Sequence, residues 1–375
     1  MIENPTGPEL TPAQRDRINS LETILAPLRK YLDKPAAQEV AVNAPGRVLT
    51  WESGAWVVHE APEINFAYLD SLTRNIAEYS KHAFLDTKPI LDTELHTGER
   101  FHAKRPPVTP AGQIYLNVRK HVVEAYPFEE YVTQGYFEKT RHQFSLTMTD
   151  EQREKIKPHL EPEEIQLWEF AQKNDWESFY RLGVLSYQNI VTSGATGSGK
   201  TTFSRSLMEL TDPEERYVTL QDARETPMPR HTNRQDLLFI KGDLLDVGKG
   251  GVATRRPGMT AKEGLESAMR STPTRIHISE LRGDEAMYYL SGVLSSGHPG
   301  GMTTSHANSP KDCFLRLALL IKQSKEGQGI ELDAVKAMLY QTINIVGQLK
   351  FDTQEKRRRM TAIYYDPFFR ASLLG

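Results

Sequence analysis

The sequence predicts an α/β protein in which a small mixed α/β domain precedes a larger domain built on a parallel sheet. The length of 375 residues favours two domains. In the second half of the chain, short apolar segments typical of buried strands alternate with segments typical of helices. Towards the N-terminus, alternating strand-like segments are instead separated by tight-turn residues. We therefore predict an N-terminal domain over residues 1–137, a helical linker over 138–183 and an α/β domain over 184–375.

The first predicted domain begins with an amphipathic helix over residues 11–32. Thr11 can cap this helix, and Gln14 can complete a capping box. Turn pairs such as Ser53-Gly54 and Thr97-Gly98 then separate strand-like segments. In order, the remaining predicted elements are a hairpin over 47–60, a helix over 69–82, and strands within 90–107 and 112–121.

The predicted linker is strongly charged and rich in helix-forming residues. Pro158 and Pro162 divide it into shorter helices, since proline interrupts a helix interior. After it, the strand and helix segments alternate, which indicates a parallel sheet covered by helices. The predicted strands are 188–194, 215–222, 274–281 and 300–307, and the predicted helices start at Lys200 or lie near 260–270, 284–295 and 310–324.

Composition limits the functional classes. The net charge is -3 and the pI about 6.4, so no global field attracts the chain to nucleic acid or anionic lipid. We find no signal peptide and no apolar run of membrane-spanning length, roughly 18 residues. The single cysteine, Cys313, excludes an internal disulfide and suits a buried helix position. These features predict a cytoplasmic protein without stable nucleic-acid binding that could dock on a membrane complex.

A glycine-rich phosphate loop follows the strand at 188–194 and opens a helix. Glycines let the backbone wrap closely around phosphates, and amides at the helix N-terminus serve as donors. Lys200 should reach the β and γ phosphates, and Thr201 should ligate Mg²⁺. The alternative is a glycine-rich turn with an incidental lysine. The predicted nucleotide-binding residues are Gly194, Ala195, Thr196, Gly197, Ser198, Gly199, Lys200, Thr201 and Thr202.

Acidic side chains follow two predicted strands, where they could organise Mg²⁺ or orient water. Asp222 and Glu225 follow one strand and Glu280 the other, and strand ends of such sheets converge on a ligand crevice. The segment SSGHPGGMTTSHAN adds His298 and His306. A histidine can donate a hydrogen bond to phosphate. Zinc ligation is the rival interpretation, which the spacing of these histidines makes weak.

Four segments together resemble the secretion ATPase superfamily and occur in its order. They are GATGSGKT, its Walker A loop; LQDARE, its Asp box; TRIHISELRG, its Walker B segment; and GHPGGMTTSHAN, its His box. The segment TGERFHAKRPPVTPAGQIYLNVRK is similar to the N-terminal domain of the type IV secretion branch and places Arg100 and Arg119 on matching positions. The likeness runs from about Lys88 to Asp366.

The resemblance implies a RecA-like P-loop ATPase domain and roles for individual residues. Glu280 matches the Walker B carboxylate that acts on Mg²⁺ directly or through water, and Glu225 matches the Asp-box acid near the attacking water. His306 matches a histidine on the γ-phosphate side, and Arg100 and Arg119 match arginines that touch nucleotide phosphate. The chain departs from the family pattern at Gln221, where an acid is frequent, and at His277 and Ser279, which interrupt a usually apolar strand.

The implied function is hydrolysis of ATP with Mg²⁺ by a homohexameric ring. Its implied task is pilus biogenesis or substrate translocation in a bacterial type IV secretion system. The implied partners are inner-membrane components and other ATPases of that machine, with peripheral location at the inner membrane.

Four alternatives remain open. A pilus-retraction or type II secretion ATPase is the nearest, although type II enzymes typically carry a four-cysteine zinc module that one cysteine cannot supply. A small-molecule kinase would share the phosphate loop but has no use for the His box. A nucleotide-regulated scaffold would hydrolyse little. A DNA translocase could use the basic run Glu355–Met360, which we interpret instead as a solvated hairpin.

Overall fold

The structure, a computed structural model, divides the chain into two compact units. It describes residues 11–52, 54–120, 126–223, 226, 228, 231–239, 245–247, 253–255, 258–283, 285–295 and 297–373. The first unit comprises residues 1–121 and the second residues 122–375. Among the described residues, no helix combines the length and apolar character needed to cross a membrane.

Within its described residues, the first unit contains two helices and a six-stranded antiparallel sheet. The predicted capping box of α1 is present, because Thr11 and Gln14 exchange side-chain and backbone hydrogen bonds. The sheet order is β3-β2-β1-β6-β5-β4. The elements are α1 (Pro12–Leu32), β1 (Ala37–Ala44), β2 (Arg47–Glu52), β3 (Ala55–Glu60), α2 (Phe66–Tyr79), β4 (Ile90–Glu94), β5 (Arg100–Lys104) and β6 (Tyr115–Arg119).

The two helices cover one face of this sheet. Leu25 and Leu28 of α1 are fully buried in one cluster with Leu72 of α2 and with Val40 and Val118 of the sheet. Residues that alternate with this apolar set lie on the other face, because successive side chains of a strand point in opposite directions. The predicted hairpin over 47–60 is confirmed by the antiparallel pairing of β2 with β3.

The second unit is a mostly parallel sheet with helices on both faces. Among its described strands the larger sheet has the order β10-β9-β13-β14-β8-β15-β16-β7, in which only β15 and β16 pair antiparallel. Its first elements are α3 (Phe128–Thr133), β7 (Arg141–Gln143), α4 (Asp150–Ile156), α5 (Pro162–Gln172), α6 (Trp176–Leu185), β8 (Ile190–Gly194), α7 (Lys200–Met208), β9 (Tyr217–Gln221), β10 (Arg234–Leu238), β11 (Leu245–Val247) and β12 (Ala253–Arg255). They are followed by α8 (Ala261–Met269), β13 (Arg275–Ile278), α9 (Glu285–Met287), β14 (Met302–Ser305), α10 (Pro310–Gln323), α11 (Leu332–Thr342), β15 (Ile345–Asp352), β16 (Arg357–Tyr364) and α12 (Pro367–Ser372).

The central strands β8, β9, β13 and β14 are buried along their whole length. Their run of parallel pairings confirms the predicted sheet. His277 does not interrupt this burial, since its side chain is 1% exposed within β13. Cys313 is also buried on α10, as predicted, and burial raises the pKa of its thiol to about 12. α9 continues as a π-helix over Tyr288–Val293.

The second unit begins earlier than the predicted domain boundary at residue 137. Phe128 packs against Phe203 of α7 and Tyr180 of α6, and β7 pairs with β16 at the edge of the sheet. The segment predicted as a linker is helical but belongs to the second unit. The aromatic side chains of this segment explain why it packs into the second unit: they are buried, while its charged residues lie on the outward faces.

Candidate active site

The phosphate loop connects β8 to α7 in a conformation that depends on glycine. Gly199, the residue before α7, has a φ of 93°, a value that L side chains rarely adopt. A Cβ atom at Gly194 would come within 2.7 Å of the Leu349 carbonyl oxygen. The Ser198 hydroxyl within the loop is buried without a hydrogen-bond partner among the described residues. This glycine cradle, which opens onto a helix N-terminus, fits a phosphate chain.

Lys200 is held inside the loop. Its side chain is buried, and Nζ donates to the carbonyl oxygens of Gly194 at 2.9 Å and Ala195 at 3.0 Å. The same Nζ lies 3.3 Å from Nδ1 of His306. Thr201 and Thr202 follow in the first turn of α7 and are half-buried.

His306 and Glu280 extend this contact across the ends of two strands. His306 follows β14, Glu280 follows β13, and His306 Nε2 lies 3.3 Å from Glu280 Oε1. Burial lowers the pKa of His306, the Lys200 charge lowers it further, and Glu280 opposes both. A neutral imidazole has one donor and one acceptor, and an ammonium group only donates. Nδ1 therefore accepts from Lys200, which leaves the proton of the neutral ring on Nε2, the nitrogen that faces Glu280 Oε1.

Asp222 and Arg282 complete the carboxyl edge of the sheet. Asp222 follows β9, and its Oδ2 accepts from Arg282 Nη1 at 2.8 Å. Arg282 Nη2 donates to Glu280 Oε2. Burial alone would lower the pKa of Arg282, but the hydrogen bonds and charges of Glu280 and Asp222 raise it. Lys200, His306, Glu280, Arg282 and Asp222 thus form one continuous line of polar contacts, which we call the carboxyl-edge chain.

The side-chain amide of Gln221, next to Asp222, makes two hydrogen bonds within the fold. Gln221 Oε1 accepts from the backbone N–H of Thr226 at 2.9 Å, and its Nε2 donates to Thr219. An amide can make both contacts because it carries a donor and an acceptor, whereas an ionised carboxylate can only accept. The predicted acid Glu225 lies outside the described residues, so its role stays a prediction.

The oxygen donors of this edge suit Mg²⁺. Glu280, Asp222 and the Thr201 hydroxyl carry hard oxygen atoms of the kind that Mg²⁺ binds, and protein sites for Mg²⁺ commonly use one or two carboxylates together with substrate phosphates. No cluster of three or more His, Cys, Asp or Glu side chains in the described ranges could hold a metal ion by itself. His298 is at the amino end of β14, where Nδ1 lies 3.2 Å from the Pro273 carbonyl oxygen. The structure therefore separates His298 from His306.

Arg282 and Arg358 are site residues that sequence reasoning missed. Arg358 of β16 donates from Nε to the Gly197 carbonyl oxygen at 3.1 Å, which ties the phosphate loop to the β15–β16 hairpin. Arg282 lies two residues beyond Glu280, within the segment TRIHISELRG. That proximity was an available signal for Arg282. For Arg358, the basic run Glu355–Met360 predicted only a charged side chain in a solvated hairpin.

Arg100 and Arg119 belong to the first unit. They are direct cross-strand partners on β5 and β6, and residues directly opposite each other share one face of a sheet. Arg119 is exposed, and Arg100 is half-buried with its Nε 3.9 Å from Asp92 Oδ1. The structure brings the two arginines together, and their contact with nucleotide phosphate stays a prediction.

Comparison with known proteins bears on this geometry. The model of the family described as "Type II/IV secretion system protein" matches residues 160–356, which include the phosphate loop and the carboxyl-edge chain. The chain belongs to this family. The type IV secretion system protein VirB11 of Brucella suis is 32% identical over 352 residues, 94% of this chain and 91% of that protein. The family resemblance deduced from the motifs is thus confirmed.

Other members and solved structures agree. The VirB11 of Bartonella quintana is 33% identical, covering 94% of this chain and 95% of its own. The type IV secretion system protein PtlH of Bordetella pertussis is 30% identical, with 94% and 97% covered. The crystal structure of the Brucella suis VirB11 ATPase in complex with sulphate has a TM-score of 0.51 at 30% identity and covers 97% of this chain and 99% of that one.

A more distant neighbour extends the likeness in fold alone. The pilus retraction motor PilT with bound ADP has a TM-score of 0.53 at 14% identity, covering 94% of this chain and 85% of that one. The predicted fold class is therefore confirmed for this member of the family.

Proposed function

We propose that this protein is an ATPase that powers a bacterial type IV secretion system through Mg²⁺-dependent hydrolysis of ATP. One observation carries the proposal: Lys200 joins the phosphate loop to His306, and His306 lies next to Glu280, at the carboxyl edge of the parallel sheet. Ligands of such sheets bind at this edge. The Brucella suis VirB11, a relative over nearly the whole chain, is a type IV secretion ATPase that was crystallised with sulphate, an anion resembling phosphate.

Each side chain of the candidate active site has a separate role in this proposal. Lys200 and the loop amides bind the β and γ phosphates, and Thr201 with Glu280 holds Mg²⁺ directly or through water. When bound, Mg²⁺ neutralises phosphate charge that develops during transfer. His306 can donate a hydrogen bond from Nε2 to a γ-phosphate oxygen. Glu280 stays with Mg²⁺ or its bound water, and Glu225 is the carboxylate near the attacking water.

The wider assembly is part of the proposal. We infer a homohexamer, peripheral at the inner membrane, that works with inner-membrane components and other ATPases of the secretion machine. Arg100 and Arg119, held side by side on one sheet face, would add positive charge to nucleotide phosphate. Pilus biogenesis and substrate translocation are both compatible outputs.

A nucleotide-hydrolysis assay tests the central claim. The purified chain should release ADP and free phosphate from ATP in a Mg²⁺-dependent manner. Lys200→Ala should weaken nucleotide binding by more than about tenfold, because the loop loses the positive charge that contacts the phosphates. Lys325→Ala removes the same charge from an exposed position after α10 and should retain wild-type turnover. Transfer of phosphate to a small-molecule acceptor, or no turnover at all, would favour a kinase or a scaffold instead.

The DNA translocase alternative gains no support from the basic run. Arg357 pairs with Glu138 and Glu355, and Arg359 is buried with Glu138, Asp352 and Glu355 close to its guanidinium. These arginines are engaged within the fold, which leaves little charge for phosphate backbones. Measurement of ATPase rates with and without duplex DNA checks this, and a large stimulation would reverse the conclusion.

A further inference from the structure

Arg282 connects two carboxylates that stand at the ends of neighbouring strands. Asp222 follows β9 and Glu280 follows β13, and each accepts a hydrogen bond from a different Nη nitrogen of Arg282. The Asp222 and Glu280 side chains are only 5% and 11% exposed. A forked guanidinium is well suited to satisfy two acceptors at once.

The loop that carries Arg282 is fixed independently of this contact. The Glu285 carboxylate accepts hydrogen bonds from the backbone N–H groups of Arg282 and Gly283. The Arg282 backbone is therefore anchored while its side chain, 38% exposed, keeps room to change rotamer. A long side chain on a fixed backbone can release a partner without any rearrangement of the sheet.

A conflict arises where Glu280 serves Mg²⁺, as the proposed function requires. Glu280 already accepts from Arg282 on Oε2, and its Oε1 lies 3.3 Å from His306 Nε2. A divalent cation close to the same carboxylate would be repelled by the guanidinium charge. Arg282 and the metal therefore compete for the same oxygens.

We propose that Arg282 is a positioning residue that neutralises Glu280 and Asp222 and yields Glu280 to the metal when Mg²⁺-nucleotide binds. This role rests on the proposed function, because it assigns Glu280 to the metal. Arg282 keeps two adjacent, nearly buried carboxylates from repelling each other and holds Glu280 in line with His306. In exchange, it weakens the affinity of the site for the metal.

Metal binding tests this role without relying on turnover. The probe is Mn²⁺, titrated by electron paramagnetic resonance into the full chain with a nonhydrolysable ATP analogue and again without it. With the analogue, Arg282→Ala should bind Mn²⁺ about fivefold more tightly than wild type, since a partly exposed charge is worth up to about 1 kcal/mol. Arg282→Lys keeps the charge and should lie between the two. An affinity of Arg282→Ala equal to or weaker than that of wild type would overturn the proposal.

Arg316 offers a matched control. It lies on α10, and its charge contributes to the lowered pKa of His306. Arg316→Ala removes the same charge from this neighbourhood but no contact with Glu280, so its Mn²⁺ affinity should stay within about twofold of wild type. If Arg316→Ala raises the Mn²⁺ affinity as much as Arg282→Ala does, the effect comes from nearby positive charge in general, and the proposed role of Arg282 is wrong.

Further measurements separate this role from stability and from the proposed function. If Arg282→Ala unfolds, Arg282→Gln retains donors without charge and should show the same tightening. In a Glu280→Gln background the effect of Arg282→Ala should shrink, because Arg282 acts through Glu280. An undiminished effect there would overturn the role. If wild type binds no Mn²⁺ even with the analogue, the proposed function fails as well. Equal Mn²⁺ affinity of wild type and Arg282→Ala would contradict only the proposed role of Arg282.

Discussion

The two ends of the central parallel strands each carry an arginine–glutamate pair, with different surroundings. At the amino end, Arg275 contacts Glu215 and donates to the carbonyl oxygens of Val184 at 2.9 Å and Gly300 at 3.4 Å. Its guanidinium carbon lies 4.0 Å from the centre of the Tyr187 ring. At the carboxyl end, the hydrogen bonds that the Arg282 side chain makes within the described part of the chain go to the carboxylates of Asp222 and Glu280.

Exposure of the arginine separates the two pairs. The Glu215 and Glu280 side chains are equally buried, at 11% exposed, whereas Arg275 is 0% and Arg282 is 38% exposed. A fully buried ion pair with fixed carbonyl partners is costly to break, because it leaves an uncompensated charge. A half-exposed arginine can exchange partners with water. We therefore expect the amino-end pair to contribute more to stability than the carboxyl-end pair, whose arginine is free to change rotamer in our proposal.

The largest expected effect is on stability at the amino end. Arg275→Ala leaves Glu215 buried without its positively charged partner, so it should lower the free energy of unfolding of the second unit by about 3–5 kcal/mol. Arg282→Ala, a matched change at the carboxyl end, also removes the partner of nearly buried carboxylates, but water can enter the partly exposed space it vacates, so the loss should be smaller than for Arg275→Ala. Urea denaturation of both variants measures the contrast. Similar losses for the two would mean that the ends do not differ as described.

A pH-dependent loss should arise between the two ends, at His277 within β13. Burial lowers the pKa of His277 to about 4 from an ordinary value near 6.5. Its neutral form therefore favours the fold fully above pH 6.5, and this contribution falls as the pH decreases towards 4. The difference corresponds to about 3 kcal/mol.

The control for this effect is a variant that cannot titrate. Between pH 6.5 and 4, wild type should lose up to about 3 kcal/mol more stability than His277→Gln, as measured by urea denaturation at each pH. Parallel pH profiles of the two proteins would show that His277 is not the group responsible.

Catalysis should respond at the carboxyl end without a matching loss of stability. Glu280→Gln keeps the size of the side chain but removes its charge, so turnover should fall by about 100-fold while nucleotide still binds. Glu225→Gln tests the second predicted carboxylate in the same assay of phosphate release. If both variants hydrolyse ATP at the wild-type rate, the proposed acids are misassigned.

Much of the site could be predicted from the sequence because its parts lie in short motifs. The phosphate loop, Glu280 and His306 each stand at a strand end, and parallel strands bring their carboxyl ends together. The capping box at Thr11 and the hairpin over 47–60 were equally local signals, and both are confirmed.

Features that depend on distant contacts could not be predicted in this way. The segment 138–183 has the composition of a linker, but its aromatic residues pack on α7, which follows later in the chain. Arg358 reaches Gly197 across 161 positions of sequence, so no local pattern relates them. Burial of His277 is set by the strands on either side of it, which override the polarity of one residue.

The smallest expected effect concerns Arg358, whose contact extends the comparison from charge pairs to the loop itself. One hydrogen bond to the Gly197 carbonyl contributes about 0.5–1.5 kcal/mol, so Arg358→Ala should raise the KM for ATP about three- to tenfold. The loop amides would still be present, so kcat should change less than KM. Arg357→Ala removes the same charge from the neighbouring position, where the partners are Glu138 and Glu355, and should leave KM near the wild-type value. Steady-state kinetics of both variants decide the matter, because a rise in KM shared by the two would reflect lost positive charge on the hairpin and not support of the loop.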